Sequence, residues 1–174
     1  GHIEISGGSI TAKSDNGAAI GTCSGGSSTG RRTADIRITG GKVTAIADGM
    51  GAGIGTGNNA YGNMKLNISG EDTQVTASSI GSGQAASGEH YDITINGGKV
   101  DTISGGIGVA TGSNGCYTDI KITGGTITAR GSLEGAGIGN GSDLDTDGGR
   151  NAITNITITG GDIIAIGDEG AAGI

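Results

Sequence analysis

One phrase constrains this chain more than any single residue: Ile-x-Ile-Thr-Gly-Gly-x-Val-Thr-Ala, followed a few residues later by Gly-Ala-Gly-Ile-Gly-x-Gly, recurs along its whole length. The clearest copies begin at Ile36 and Ile120, with their glycine-rich second halves starting at Gly51 and Gly135. Six copies can be laid down, opening at Ile3, Ile36, Leu66, Ile93, Ile120 and Ile156, 27 to 36 residues apart. Self-similarity at that period marks a solenoid, whose units cannot bury their apolar faces alone and must stack.

Inside each unit apolar residues alternate with polar or small ones, as in Ile36, Ile38, then Val43, Ala45, then Ala52, Ile54. Period 2 is strand periodicity, and helical spacing is absent. Gly-Gly pairs such as Gly40-Gly41 and Gly97-Gly98 separate the first two strands and supply the positive φ that a sharp corner needs. Three short strands with corners make a triangular coil. Stacking equivalent strands about 4.8 Å apart aligns columns of like residues: Ile10, Val43, Val75, Val100, Ile127 and Ile163 in one, Ala12, Ala45, Ala77, Thr102, Ala129 and Ala165 in its neighbour. The expected fold is all-β: a parallel β-helix of about six rungs, roughly 29 Å tall, right-handed because parallel crossovers almost always turn that way.

Composition agrees. Gly is 41 of 174 residues and Pro is absent, but the apolar columns exclude disorder. With 33% hydrophobic and 2% aromatic residues, the core must be thin and built from Ile, Val and Ala. A single elongated domain over residues 1–174 is expected. Because the sequence starts at Gly1-His2 and stops partway through a sixth copy, it reads as a fragment of a longer protein, with possible end-to-end contacts between repeats.

The net charge of −7, with ten scattered basic residues, disfavours nucleic acid and anionic membrane surfaces as partners. No apolar run approaches the roughly 18 residues of a membrane span, so membrane insertion is not expected. Cys23 and Cys116 fall in loops about three rungs apart, roughly 14 Å, which is too far for a disulfide. Two free thiols are expected.

Several constellations carry chemistry. Asp143, Asp145 and Asp147, followed by Gly148, place carboxylates at alternate positions and resemble the front half of a calcium loop. Thr154 stands where a bidentate carboxylate would close such a loop, with Asn151 or Asn155 as substitute oxygens; the alternative is a solvated acidic turn. Tyr61, Tyr91 and Tyr117 each precede the first strand of a unit and form a candidate ligand-binding edge on which sugar rings stack; alternatively they shield a corner.

Asp35, Lys65, Asp92, Asp119 and Asn155 form a further column, either a ladder in which Lys65 offsets its acidic neighbours or, with His90, a cation or catalytic cluster. If Ala52 and Ile54 point inward, Gly53 and Gly55 leave the third strand's outer face nearly bare, which suits either a flat binding surface or close packing. Thr11, Thr44, Thr76 and Thr128 share a column, but Asp101 and Ile164 interrupt it, which argues against an ice-binding rank.

The segment Ile122 to Ala129 (Ile-Thr-Gly-Gly-Thr-Ile-Thr-Ala), with Gly-Ala-Gly-Ile-Gly-Asn-Gly from Gly135, resembles the Gly-rich repeats of large surface proteins of Gram-positive bacteria. It is more loosely similar to bacterial β-helices that bind plant polysaccharides with calcium. The resemblance implies extracellular display at the cell surface or wall, contact with polysaccharide or host glycan, and an adhesin-like, noncatalytic role. A structural stalk or spacer is the alternative. A polysaccharide lyase or hydrolase is third, since no cluster of carboxylates with a basic partner stands out in register.

Overall fold

The structure, a computed structural model, describes residues 1–26, 30–87, 90–132, 135–141, 152–168 and 170–174. In chain order its strands are β1 (His2–Ser14), β2 (Ile20–Gly21), β3 (Arg32–Ala47), β4 (Ile54–Gly55), β5 (Gly62–Ile68), β6 (Gln74–Ala77), β7 (Ile80–Gly81), β8 (His90–Thr102), β9 (Ile107–Val109), β10 (Tyr117–Arg130), β11 (Ile138–Asn140), β12 (Ile153–Ile158) and β13 (Asp162–Ile166). No helix occurs among the described residues.

All strand pairing is parallel, which makes the chain a β-solenoid. A long sheet runs β1-β3-β5-β8-β10-β12, with β6 and β13 continuing the layers of β5 and β12. A short sheet runs β2-β4-β7-β9-β11. Six layers therefore stand in the long sheet and five in the short one, slightly fewer complete coils than the six expected.

The register reproduces the sequence columns. Ile10, Val43, Val75, Val100, Ile127 and Ile163 are successive partners. So are Ile3, Ile36, Leu66, Ile93, Ile120 and Ile156. Because each layer presents the same residue type to the next, the core is continuous along the axis and mostly aliphatic. Each fully buried Ile contributes about 1.5–3 kcal/mol relative to exposure.

Two local features shape the three strands of each coil. First, the corner strands are fused: β1, β3, β8 and β10 each run through their Gly-Gly pair with a bend rather than a break. The second glycine takes positive φ, 84° at Gly41 and 81° at Gly98, as the corner requires. Second, the Gly-Ala-Gly-Ile-Gly-x-Gly phrase forms a reverse turn that dips inward. The amide of Ala52 donates to the carbonyl of Thr56 at 3.0 Å, drawing the two ends together, and the tip carries Ile54 into the core. The same closure joins Ala18 to Thr22 and Ala136 to Asn140.

The expected bare glycine face is therefore not a surface: Gly53 and Gly55 are buried. A Cβ on Gly55 would stand 1.8 Å from the carbonyl oxygen of Gly81 in the next coil. Gly21, Gly81 and Gly108 repeat the arrangement with gaps of 1.9, 1.9 and 2.0 Å. Only glycine lets the coils approach this closely, and close packing rather than ligand binding accounts for the column.

Candidate functional site

The outer face of the long sheet carries one dense polar cluster, built from β8, β10 and β12. His90 and Asp92 lie two residues apart on β8, so both point outward from the same pleat. The parallel register places Tyr117 beside His90 and Asp119 beside Asp92, and sets Asn155 of β12 beside Asp119.

The side chains converge. His90 Nε2 lies 3.2 Å from Asp92 Oδ1 and 3.4 Å from Asp119 Oδ2. The His90 and Tyr117 rings meet edge to face, with centroids 4.9 Å apart and planes at 65°. Asn155 Nδ2 donates to Tyr117 Oη at 2.6 Å and to Asp119 Oδ1 at 3.0 Å. The backbone of β8 is tied to the preceding coil by the His90 amide, which donates to Asn63 Oδ1 at 3.2 Å. The result is an aromatic ring flanked by carboxylate acceptors and an amide, a combination suited to polyhydroxylated ligands or to a cation.

The three tyrosines do not form one edge. Tyr117 is 37% exposed on the outer face, whereas Tyr91 is 0% exposed and points into the core. Tyr91 shares its inward column with Ala34, Met64 and Thr118, and its hydroxyl is 3.1 Å from Thr56 Oγ1. Burial removes Tyr91 from any ligand surface. Tyr61 precedes β5 and is half-buried, and its Cβ would lie 3.6 Å from a Cβ placed on Gly26 in the first coil. Strand parity explains the difference: Tyr91 stands two residues before the inward Ile93, Tyr117 three before the inward Ile120.

Asp143, Asp145 and Asp147 lie outside the described residues, as does Asn151. Asn155 is engaged with Tyr117 and Asp119 instead.

The charged column has the expected register, with His2 added at its start: His2, Asp35, Lys65, Asp92, Asp119, Asn155. Lys65 forms no ion pair with Asp35 or Asp92; among the described residues the basic groups within 4 Å of those carboxylates are His2, whose Nδ1 is 3.4 Å from Asp35, and His90. The threonine column is likewise in register and interrupted by Asp101, which pairs with Lys99 at 3.4 Å. A cleft beside the short sheet is lined by Ser78, Ser104, Gly105, Ala110, Thr111 and Ser132 among others, and among the described residues its lining holds no charged or aromatic side chain. Cys23 is exposed and Cys116 buried, and the two are not joined in a disulfide, as expected.

A family model described as a β-helix repeat matches residues 3–27, 36–58, 120–142 and 156–174. These four segments make up more than half of the chain. Between them, residues 59–119 contain two further coils that pair in the same register. No curated protein and no solved structure matches the chain.

Proposed function

The chain belongs to the β-helix repeat family, and from that premise we propose that it is a noncatalytic binding module, displayed extracellularly at a bacterial surface or wall, that holds polysaccharide or host glycan. The observation that carries this reading is Tyr117, exposed on the outer sheet, its ring against His90 and its hydroxyl accepting from Asn155, with Asp92 and Asp119 in the adjoining cluster. A sugar ring packs its C–H face on such an aromatic, and its hydroxyls donate to carboxylates in charge-assisted hydrogen bonds.

The same cluster favours binding over hydrolysis. The ligand atoms of His90, Asp92 and Asp119 all lie within 4.8 Å of one another. Glycoside hydrolases hold their two carboxyl groups about 5–9.5 Å apart, on either side of the scissile bond. These two carboxylates instead share one imidazole on the same face, which supports the binding reading.

A spacer is the second reading, and the all-parallel stacking of the six described layers of the long sheet favours it, since such a stack is a rigid rod. Ile158 continues the inward column of Ile122 but is exposed on the last described layer, open to stacking by a further coil.

A glycan array with plant, wall and host polysaccharides separates the two. Binding of at least one glycan, weakened tenfold or more by Tyr117→Ala with the melting temperature unchanged, supports the module. Absence of any ligand across the panels removes the binding reading and leaves the spacer.

A further inference from the structure

We propose that His90, Asp92 and Asp119 form a binding site for a divalent transition-metal ion with the coordination preferences of zinc, a property that goes beyond the glycan reading and does not rest on it, although the two share Asp92 and Asp119. The three residues come from two coils, and each presents one ligand atom to a common point. Zinc takes imidazole nitrogen and carboxylate oxygen at about 2.0–2.2 Å in tetrahedral geometry, so adjacent ligand atoms stand about 3.3–3.6 Å apart. His90 Nε2 lies 3.2 Å from Asp92 Oδ1 and 3.4 Å from Asp119 Oδ2, close to that edge length, and the third edge, between the two carboxylates, is within 4.8 Å.

The electrostatics point the same way. Asp92 and Asp119 are direct cross-strand partners, and like charges so placed repel. Among the described residues no Lys or Arg pairs with either carboxylate; the group between them is His90, a cation only when protonated. A bound divalent ion neutralises both.

The surroundings hold the ligands in place. Asn155 Nδ2 occupies Asp119 Oδ1, leaving Oδ2 for the metal, and the edge of Tyr117 fixes the plane of the imidazole. Such supporting contacts orient ligands and tune affinity. The mixed nitrogen and oxygen set selects zinc, cobalt, nickel or copper over calcium, which needs six to eight oxygens. Three protein ligands leave a fourth position for water or a ligand oxygen.

By contrast, His2 uses different nitrogens toward Glu4 (3.9 Å) and Asp35 (3.4 Å), so it cannot bring both to one ion through one nitrogen.

The test is titration of the Cys23→Ser protein with zinc chloride and with cobalt chloride, followed by calorimetry and visible absorption; the substitution removes the exposed thiol as a competing ligand. One equivalent of zinc should bind, and cobalt should give the intense visible bands of a tetrahedral site. His90→Ala and Asp119→Asn should each weaken zinc at least tenfold, Asn155→Ala less, and His2→Ala not at all. All four positions are at least partly exposed, and an unchanged melting temperature without metal shows that each variant folds. The proposal is overturned if no binding occurs at 1 mM zinc, on the order of the weakest affinities worth a specific site, or if binding survives His90→Ala. Zinc binding measured without glycan, and glycan binding measured in chelator, fail separately.

Discussion

Replacing Gly55 by alanine probes the contact on which the whole stack depends, and Gly139 is its internal control. Both residues occupy the same place in the inward turn and share a backbone conformation, with φ of 145° and 138°. A Cβ on Gly55 would meet the Gly81 carbonyl oxygen at 1.8 Å, whereas at Gly139 the nearest atom among the described residues, Ala136 Cβ, is 3.4 Å away. Since Cβ atoms essentially never approach within 3.0 Å, the coils at Gly55 must part by more than an ångström. Two hydrogen bonds span that gap, Ile54 N to Ser79 O and Thr56 N to Gly81 O, each 3.0 Å.

Stretched to about 4 Å, both are lost, at about 1–3 kcal/mol for each buried group left unpaired. Alanine at such a φ costs about 1–3 kcal/mol at either position, and this part cancels in the comparison. The expected excess at Gly55 is therefore about 2–6 kcal/mol. For a chain of this size 1 kcal/mol corresponds to about 2–4 °C, so a 3 kcal/mol excess puts Gly55→Ala about 6–12 °C below Gly139→Ala. Thermal and urea unfolding followed by circular dichroism measure the difference, and amide exchange at Ile54, Thr56, Ile80 and Ser82 localises it. Equal destabilisation of the two variants would refute the reasoning, because it would leave backbone strain as the whole effect.

Tyr91→Phe removes only the buried hydroxyl contact to Thr56 and should cost about 1 kcal/mol. Tyr91→Ala, which opens a core cavity, should cost about 3–5 kcal/mol. Glycan binding at full strength by folded Tyr91→Phe, measured beside Tyr117→Ala, is expected; a selective loss in Tyr91→Phe would contradict the inward placement. We further propose that Asp143, Asp145 and Asp147 bind calcium. In that case calcium at a hundredfold excess over Kd stabilises the native chain by about 2.7 kcal/mol, read as a rise in melting temperature that chelator reverses. The rise should vanish in the triple Asp→Asn variant, and no rise at millimolar calcium discards the site.

How much of this was legible in the sequence depends on whether the cause is local. The Ile and Val columns were readable because the repeat and the pleat fix them: period 2 decides which residues face inward, and repeat spacing decides which stack. The Gly-Gly corners were readable for the same reason, since the positive φ at Gly41 and Gly98 is a property of one residue. Parity was also in the sequence for the tyrosines, but it had to be counted from Ile93 and Ile120. Mere proximity to a strand start groups Tyr91 with Tyr117, although one faces the core and the other solvent.

The remainder was decided between coils. Nothing local to Gly-Ala-Gly-Ile-Gly says that its short third strand is drawn into an inward turn, with its glycines packed against the next coil and not bare to solvent. That follows from the Gly81 carbonyl pressed against Gly55, an atom 26 residues further along the chain. The His90, Asp92 and Asp119 cluster mixes both causes. The sequence by itself determined that these residues share one outer face, because repeat register is a matter of counting. Only the tertiary structure decided that one imidazole nitrogen reaches both carboxylates, because that depends on side-chain rotamers set by Tyr117 and Asn155 in neighbouring strands.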